Sequence, residues 1–171
     1  AFNLSEHGMP LLKNLELLQI PNGEKHLAIE KGLINTSAEA KLLESKIKRS
    51  IFTRITVDCS SFDGETFVEV LWVIGPRSEA IDLIGIPCLS LSDLTRGLTS
   101  LAAKEICFYQ CPGIHDGILP EILTRPKLEK LSIYGPSPIT PNGFKVESNA
   151  SVNLQTLVVK DCPEIDTRML Y

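Results

Sequence analysis

The densest set of side chains that could do chemistry lies between residues 107 and 116. It consists of Cys107, Cys111, His115 and Asp116. A structural metal usually needs four converging nitrogen or sulfur ligands, often from paired cysteine motifs. The repeated pattern described below places Cys111 inside, at the end of a strand, and Cys107 on the opposite strand face. The two thiols should therefore diverge, and we predict structural cysteines and no bound metal.

Cysteine catalysis would require a histidine within hydrogen-bond reach of the thiolate. His115 directly follows the turn and is expected to cap or precede a helix together with Asp116. The other histidines, His7 and His26, belong to distant segments. The sequence contains no Gly-x-Ser-x-Gly motif, phosphate-binding glycine loop or His-Glu-x-x-His motif. We predict that the chain is not an enzyme and holds no cofactor.

One short phrase occurs three times in the second half of the chain. Its copies begin at residues 103, 128 and 154, which gives spacings of 25 and 26 residues. Each copy carries apolar residues at four shared offsets and Cys or Pro at a fifth. The copies are Ala103–Ile114, Leu128–Ile139 and Leu154–Ile165. Self-similarity at this period is typical of a repeat array.

Each copy predicts a strand, a turn and a helix. Residues two positions apart, such as Ile106 and Phe108, point to the same side of a strand. The Cys or Pro marks the turn, where a small side chain lies inside and helps to satisfy the backbone. Apolar residues at helical spacing follow, such as Ile118 and Ile122, with Pro120 near the first turn. Stacked units predict an α/β solenoid, a curved parallel sheet backed by irregular helices.

The pattern resembles leucine-rich repeats, and Cys-Pro-x-Ile at 111–114 and 162–165 resembles the cysteine-containing subclass. That subclass includes substrate receptors of F-box ubiquitin ligases and intracellular plant and bacterial repeat proteins. The resemblance implies a leucine-rich-repeat solenoid that recognises a protein partner, as a ubiquitin-ligase substrate receptor or a bacterial effector does. The alternatives are an immune-receptor repeat segment, or part of an enzyme whose catalytic domain lies outside this chain.

Units before residue 103 follow the pattern more loosely. We place their strands at residues 12, 52 and 81, with a short helix over 26–33 and an inserted helix over 36–50. Residues 1–171 then form a single leucine-rich-repeat domain, and the lack of dedicated caps indicates a fragment of a longer array. The intervals of 40, 29 and 22 residues between these starts are irregular. A compact α/β domain over residues 1–75 is therefore the alternative.

Composition argues against several classes of partner. A net charge of −4 and a pI near 5.4 disfavour a general binder of nucleic acid or anionic membranes. No run approaches the roughly 18 apolar residues of a membrane span. Five cysteines with no even framework favour a reducing compartment, so we expect a cytoplasmic or nuclear protein, or host cytosol for an exported effector. No small-molecule substrate is expected.

Two further segments have simple structural explanations. Residues 136–143, Pro-Ser-Pro-Ile-Thr-Pro-Asn-Gly, could be a phosphorylation or docking segment, but the prolines favour a loop. The helix over 41–49 carries four cations and could touch phosphate or an acidic partner. Because the whole chain is acidic, a solvated helix face is the simpler interpretation.

The sheet face opposite the helices, predicted to be concave, carries the candidate partner site. Strand stacking places Tyr109 beside Tyr134 and both near Lys160, and paired aromatics with a nearby cation are typical of a binding hot spot. The alternative is that the tyrosines merely cover the sheet. The predicted partner-binding residues are Tyr109, Gln110, Tyr134, Lys160, Asp161 and Asp58. In the earlier units the same pattern assigns to this face Cys59, Leu83, Gly85, Pro87 and Cys88.

Overall fold

A computed structural model describes residues 2–3, 20, 23–47 and 50–165. Its central feature is a parallel sheet of seven strands, which lie side by side in the order in which they occur along the chain. Six of the strands are four to seven residues long, and the first has two residues. The strands are β1 (Phe2–Asn3), β2 (His26–Ile29), β3 (Phe52–Asp58), β4 (Ser78–Ile84), β5 (Glu105–Tyr109), β6 (Lys130–Tyr134) and β7 (Thr156–Lys160).

Helices connect successive strands from β2 to β6, because parallel neighbours require a crossover. They are α1 (Ser37–Ile47), α2 (Gly64–Ile74), α3 (Leu91–Leu98) and α4 (Leu119–Leu123), with 3-10 turns at Gly75–Arg77 and Pro141–Phe144. Asp63 caps α2 by accepting from the Thr66 N–H at 2.8 Å, and Ser90 caps α3 in the same way. Among the described helices, none is long and apolar enough to span a membrane.

The core lies on one face of the sheet. Alternate strand residues pack there with the apolar sides of the helices in one continuous cluster. Two in-register rows supply the strand side of the core. The rows are Leu27, Ile55, Ile81, Ile106, Leu131 and Leu157, and Ile29, Val57, Leu83, Phe108, Ile133 and Val159. Leu157, in the last strand, is an exception because 36% of it is exposed.

The spacing along the first core row is nearly constant. Its six residues lie 28, 26, 25, 25 and 26 positions apart in sequence. The strands at 105, 130 and 156 match the three copies found in the sequence. The helix predicted over 36–50 is confirmed as α1, although residues 48 and 49 lie outside the described part.

Several predictions for the first half of the chain are wrong. The segment 26–33, expected to be helical, contains β2, so α1 makes an ordinary strand-to-strand connection rather than an insertion. The strand predicted from residue 12 lies outside the described residues. β2 and β3 pair directly, and β3 pairs with β4, so the described residues before 75 share the sheet with the rest.

The third unit is shifted in register relative to the prediction. Its strand begins at Ser78, and the inward pair is Ile81 and Leu83 rather than Ile84 and Ile86. Leu83, expected on the exposed face, is therefore fully buried in the core. The residues predicted to face outward were Leu83, Gly85, Pro87 and Cys88. The outward positions of β4 are instead occupied by Ala80, Asp82 and Ile84. A shift by an odd number of residues exchanges the two faces of a strand, which explains why the whole set changed.

Candidate protein-binding site

The side of β3–β7 opposite the core, which we call the open face, presents three in-register rows of side chains. Each row takes one residue from each strand. The ionic row is Arg54, Ala80, Glu105, Lys130 and Thr156. The middle row is Thr56, Asp82, Cys107, Ser132 and Val158. The tyrosine row is Asp58, Ile84, Tyr109, Tyr134 and Lys160.

The tyrosine row runs across the carboxyl ends of the strands. Tyr109 and Tyr134 are paired in the β5–β6 register, and their rings stack with centroids 5.0 Å apart and planes 8° from parallel. Lys160 is the register neighbour of Tyr134 in β7, as predicted. Asp58 joins the same row through Ile84. Both tyrosines are half-buried, so the row offers aromatic surface to a partner between an acidic and a basic end.

Gln110 and Asp161 flank this row in the turns that follow β5 and β7. Both are exposed and adopt left-handed backbone angles, with φ of 51° and 57°. The Gln110 N–H donates to the Tyr134 carbonyl at 2.7 Å, which continues the ladder one residue beyond the strand. Non-glycine residues rarely adopt this conformation, and at Gln110 the bond to β6 holds the turn in place.

The charges of the ionic row, together with Asp82 of the middle row, link four strands. Arg54 contacts Asp82 at 2.5 Å and Glu105 at 3.1 Å, and Lys130 contacts Glu105 at 3.3 Å. The register places Ala80 between Arg54 and Glu105, and its small side chain leaves room for the arginine to reach across β4. These two cations and two carboxylates neutralise one another.

Electrostatic effects in the ionic row follow from this pairing. Burial disfavours charge on both Arg54 and Glu105, yet their partners outweigh it. Asp82 and Glu105 together raise the pKa of Arg54. The Lys130 hydrogen bond and the charges of Arg54 and Lys130 hold the pKa of Glu105 below its ordinary value.

The middle row is buried in β4, β5 and β6, at Asp82, Cys107 and Ser132, and half-buried at its two ends. Asp82 is 8% exposed and accepts from the Thr56 hydroxyl at 2.9 Å, in addition to its contact with Arg54. Ser132 is 1% exposed, and its Oγ has no hydrogen-bond partner among the described residues. It is the register neighbour of Cys107, whose pKa is raised, chiefly by burial. Over β4, β5 and β6, a partner on the open face would therefore touch the outer rows rather than the middle row.

Cysteines occupy the turns at the strand ends, inside the core. Cys111 Sγ donates to the carbonyls of Tyr109 and Leu83, both at 3.4 Å, and Cys162 Sγ donates to Lys160 O at 3.6 Å. These bonds confirm the predicted inward role of Cys111 and Cys162. The prediction that Cys59 faces outward is wrong. Cys59 is buried in the turn after β3, as Cys111 and Cys162 are in the turns after β5 and β7. The turn after β3 is one residue shorter than the turn after β5, which brings Cys59 inside.

The candidate catalytic or metal set is dispersed. Cys107 lies on the open face and Cys111 in the core, as strand geometry predicted. His115 Nδ1 accepts from the Gly117 N–H at 3.0 Å, and Asp116 accepts from the Thr140 N–H at 2.7 Å. Within the described ranges, no group of three or more potential ligands is placed to hold a metal ion.

The buried thiols are weak nucleophiles at neutral pH. Burial raises the pKa of Cys111 to about 11, and it also raises the pKa of Cys59, Cys107 and Cys162. Cys88 is the exposed one of the five cysteines.

We expect one thiol of the native protein to react rapidly with an aromatic disulfide reagent. The other four should react at least about a hundredfold more slowly, because they become accessible only on opening of the fold. Counting thiols spectrophotometrically before and after denaturation checks this, and Cys88→Ser should remove the fast phase. Rapid reaction of two or more native thiols would contradict the assigned burial.

The hydroxyl of Tyr109 should lose its proton at a higher pH than an ordinary tyrosine, because its pKa is raised. Burial raises its pKa to about 12 from a reference of 10.0, with smaller contributions from the charges of Cys107 and Asp82. The native state thus keeps a proton that the unfolded chain releases between these values. The associated stability is complete below pH 10 and is lost as the pH rises through 12. Tyrosinate absorbance should show a late transition that Tyr109→Phe removes and Tyr134→Phe retains. A single transition near the reference value would refute this.

A cavity of about 420 Å³ adjoins the acidic end of the tyrosine row. It is lined by Ala28, Ile29, Glu30, Lys31, Thr56, Asp58 and Ile84. Asp58 is anchored at its rim, since its Oδ1 accepts from the Ser60 N–H at 3.0 Å. Two carboxylates and one amine line a space that is large enough for a side chain of a partner.

The class of protein that the fold defines is α/β, with a parallel sheet that carries helices and core on one face and a polar and aromatic surface on the other. Comparisons of the chain with models of protein families, with curated proteins and with solved structures find no match.

Sequence reasoning placed four of the six candidate residues in one row. Asp58, Tyr109, Tyr134 and Lys160 lie in register, whereas Gln110 and Asp161 lie beside them in turns. The sequence did not predict Ile84 as a member of this row, because the strand of the third unit was placed three residues too late. It also missed the ionic network, although Arg54, Glu105 and Lys130 each lie two residues after a predicted unit start, at 52, 103 and 128. That shared offset was the available signal.

Proposed function

We propose that this chain is a leucine-rich-repeat module that binds a protein partner through the open face. The observation that carries the proposal is the stacked pair Tyr109 and Tyr134, half-exposed on a face that no described helix covers. Two rigid aromatic side chains give large contact area at low entropic cost, and such residues dominate binding hot spots. No catalysis is assigned to the module.

The assignment to leucine-rich repeats is supported by spacing. Intervals of 25 to 28 residues between paired core positions fall in the usual range of about 20–29 for this family. The buried cysteines at the ends of β3, β5 and β7 support the cysteine-containing subclass. The full protein would be a ubiquitin-ligase substrate receptor or an effector in a reducing compartment, since free thiols suit cytosol or nucleus.

The experiment that tests the proposal is a crosslinking pull-down from cytosolic extract. The wild-type chain is compared with a Tyr109→Ala/Tyr134→Ala double variant, and circular dichroism confirms that both are folded. We expect a partner that the wild-type chain captures and the double variant loses, because truncation removes the aromatic contact area. Equal capture by both would refute binding through the tyrosine pair.

Two controls separate recognition from general stickiness. Trp72→Ala removes a 45% exposed aromatic residue from α2, on the helical side, and should leave capture unchanged. Tyr109→Phe/Tyr134→Phe keeps the rings and should retain most of the capture if stacking surface matters more than the hydroxyls.

A further inference from the structure

The tyrosine row has opposite charges at its two ends. Asp58 stands at the β3 end and Lys160 at the β7 end, with Ile84, Tyr109 and Tyr134 between them. Neither Asp58 nor Lys160 forms an ion pair with another described residue, in contrast to the ionic row, where every charge is paired. The two ends are therefore available for charges of a partner.

The geometry of the row limits the shape of that partner. Neighbouring strands lie about 4.8 Å apart, so the four steps from Asp58 to Lys160 span about 19 Å. An extended chain advances about 3.3 Å per residue and would cover this distance in about six residues. Beside Ile84, Tyr109 and Tyr134 the row is one side chain wide, because the adjoining residues of the middle row are buried. These residues are Asp82, Cys107 and Ser132. A single extended segment fits such a track.

The β3 end also offers a place for a long cationic side chain. Asp58 lies at the rim of the cavity of about 420 Å³, whose lining also includes Ile84, Glu30 and Lys31. The aliphatic stem of a lysine or arginine could lie against Ile84 while its charge reaches Asp58.

We propose that the tyrosine row binds an extended segment of the partner that crosses the strands. The segment carries a lysine or arginine over Asp58, apolar or aromatic side chains over the tyrosines, and an aspartate or glutamate over Lys160. The two charges are about six residues apart. This inference rests on the proposed function and specifies the chemistry of the partner at that site.

Selection from a phage-displayed library of about ten random residues tests the inference, since that length exceeds the span of the row. Peptides selected on the wild-type chain should be enriched in opposite charges about six residues apart. Selection on Asp58→Asn, which keeps the oxygen that holds Ser60, should lose the basic preference. Selection on Lys160→Met should lose the acidic one. Each substitution should weaken a selected peptide about fivefold in fluorescence polarisation.

Matched controls make the same charge changes on the helical side. Glu121→Gln in α4 and Lys127→Met beyond it are exposed, and both should leave selection and affinity unchanged. Failure to select any peptide overturns the inference, as does a charge preference that Asp58→Asn and Lys160→Met do not alter. Enrichment of helical rather than extended patterns overturns the extended geometry.

Selection on Tyr109→Ala/Tyr134→Ala distinguishes the two levels of the account. Peptides that depend on the tyrosines but show no paired charges would leave the proposed function standing and refute the charged, extended segment. Peptides that are indifferent to the tyrosines, together with unchanged protein capture, would refute both.

Discussion

Replacement of Gly113 with alanine is expected to lower the free energy of unfolding by about 3 kcal/mol. Gly113 follows Cys111 in the turn after β5 and is buried. Its N–H donates to the Ile86 carbonyl at 2.8 Å, which brings the two turns into close contact. A Cβ atom there would overlap the Pro87 carbonyl oxygen and lie 3.0 Å from the Ile86 oxygen. Because both obstacles are backbone, no side-chain rotation can relieve the overlap.

The matched control is Gly64→Ala at the start of α2. There the added Cβ would meet only the end of the Asp93 side chain, which can rotate away. Alanine also favours a helix more than glycine does, so a change within about 1 kcal/mol is expected. Urea unfolding followed by circular dichroism measures both variants. Equal stabilities of the two variants would contradict the close contact between neighbouring turns.

Replacement of Phe108 with alanine is expected to lower the free energy of unfolding by about 4 kcal/mol. Phe108 is fully buried in β5, between Leu83 and Ile133 in the second core row. Truncation leaves a cavity in a close-packed interior and removes the contacts of the ring. The adjacent residue, Tyr109, lies on the open face and provides the natural control.

Tyr109→Ala is expected to cost only about 1 kcal/mol, chiefly the stacking with Tyr134. Two neighbouring aromatic residues should therefore differ severalfold in their contribution to folding. Urea unfolding of the two single variants measures the difference. A loss on Tyr109→Ala as large as that on Phe108→Ala would show that the tyrosines stabilise the sheet and are not reserved for a partner.

Much of the second half of the fold could be predicted from sequence, because its strands repeat the same apolar offsets. Equal offsets placed Tyr109 and Tyr134 side by side, and the rings do stack. Cys111 could be assigned inward, because the repeated phrase places it at the turn after the strand, and its thiol donates to the Tyr109 carbonyl there.

The first half could not be predicted as well, for identifiable reasons. Ile84-Gly-Ile86 imitates the spacing of Ile106 and Phe108, so the apolar pattern alone favoured the wrong register. The pair that faces the core, Ile81 and Leu83, flanks Asp82. The burial of this carboxylate is explained only by its ion pair with Arg54 of a neighbouring strand. Strand β2 has four residues, and its apolar positions Leu27 and Ile29 combine with Leu33 into an acceptable helical pattern.

The shared offset of Arg54, Glu105 and Lys130 could have placed them in one row, but it does not reveal which of them form ion pairs. Arg54 reaches Glu105 across an intervening strand, and this depends on the small Ala80 at the position between them. Such contacts depend on register, which a single sequence specifies weakly where the exposed face is polar.

Photo-crosslinking from a single position reports which side of the sheet meets a partner. A benzoylphenylalanine is introduced in place of Tyr134 on the open face or, as the control, in place of Trp72 on the helical side. The two proteins are irradiated in the same cytosolic extract and their covalent adducts compared by mass spectrometry. Recognition through the open face predicts a specific adduct from position 134 that is absent from position 72. An adduct formed from position 72 alone would place the binding surface on the helices and contradict the account.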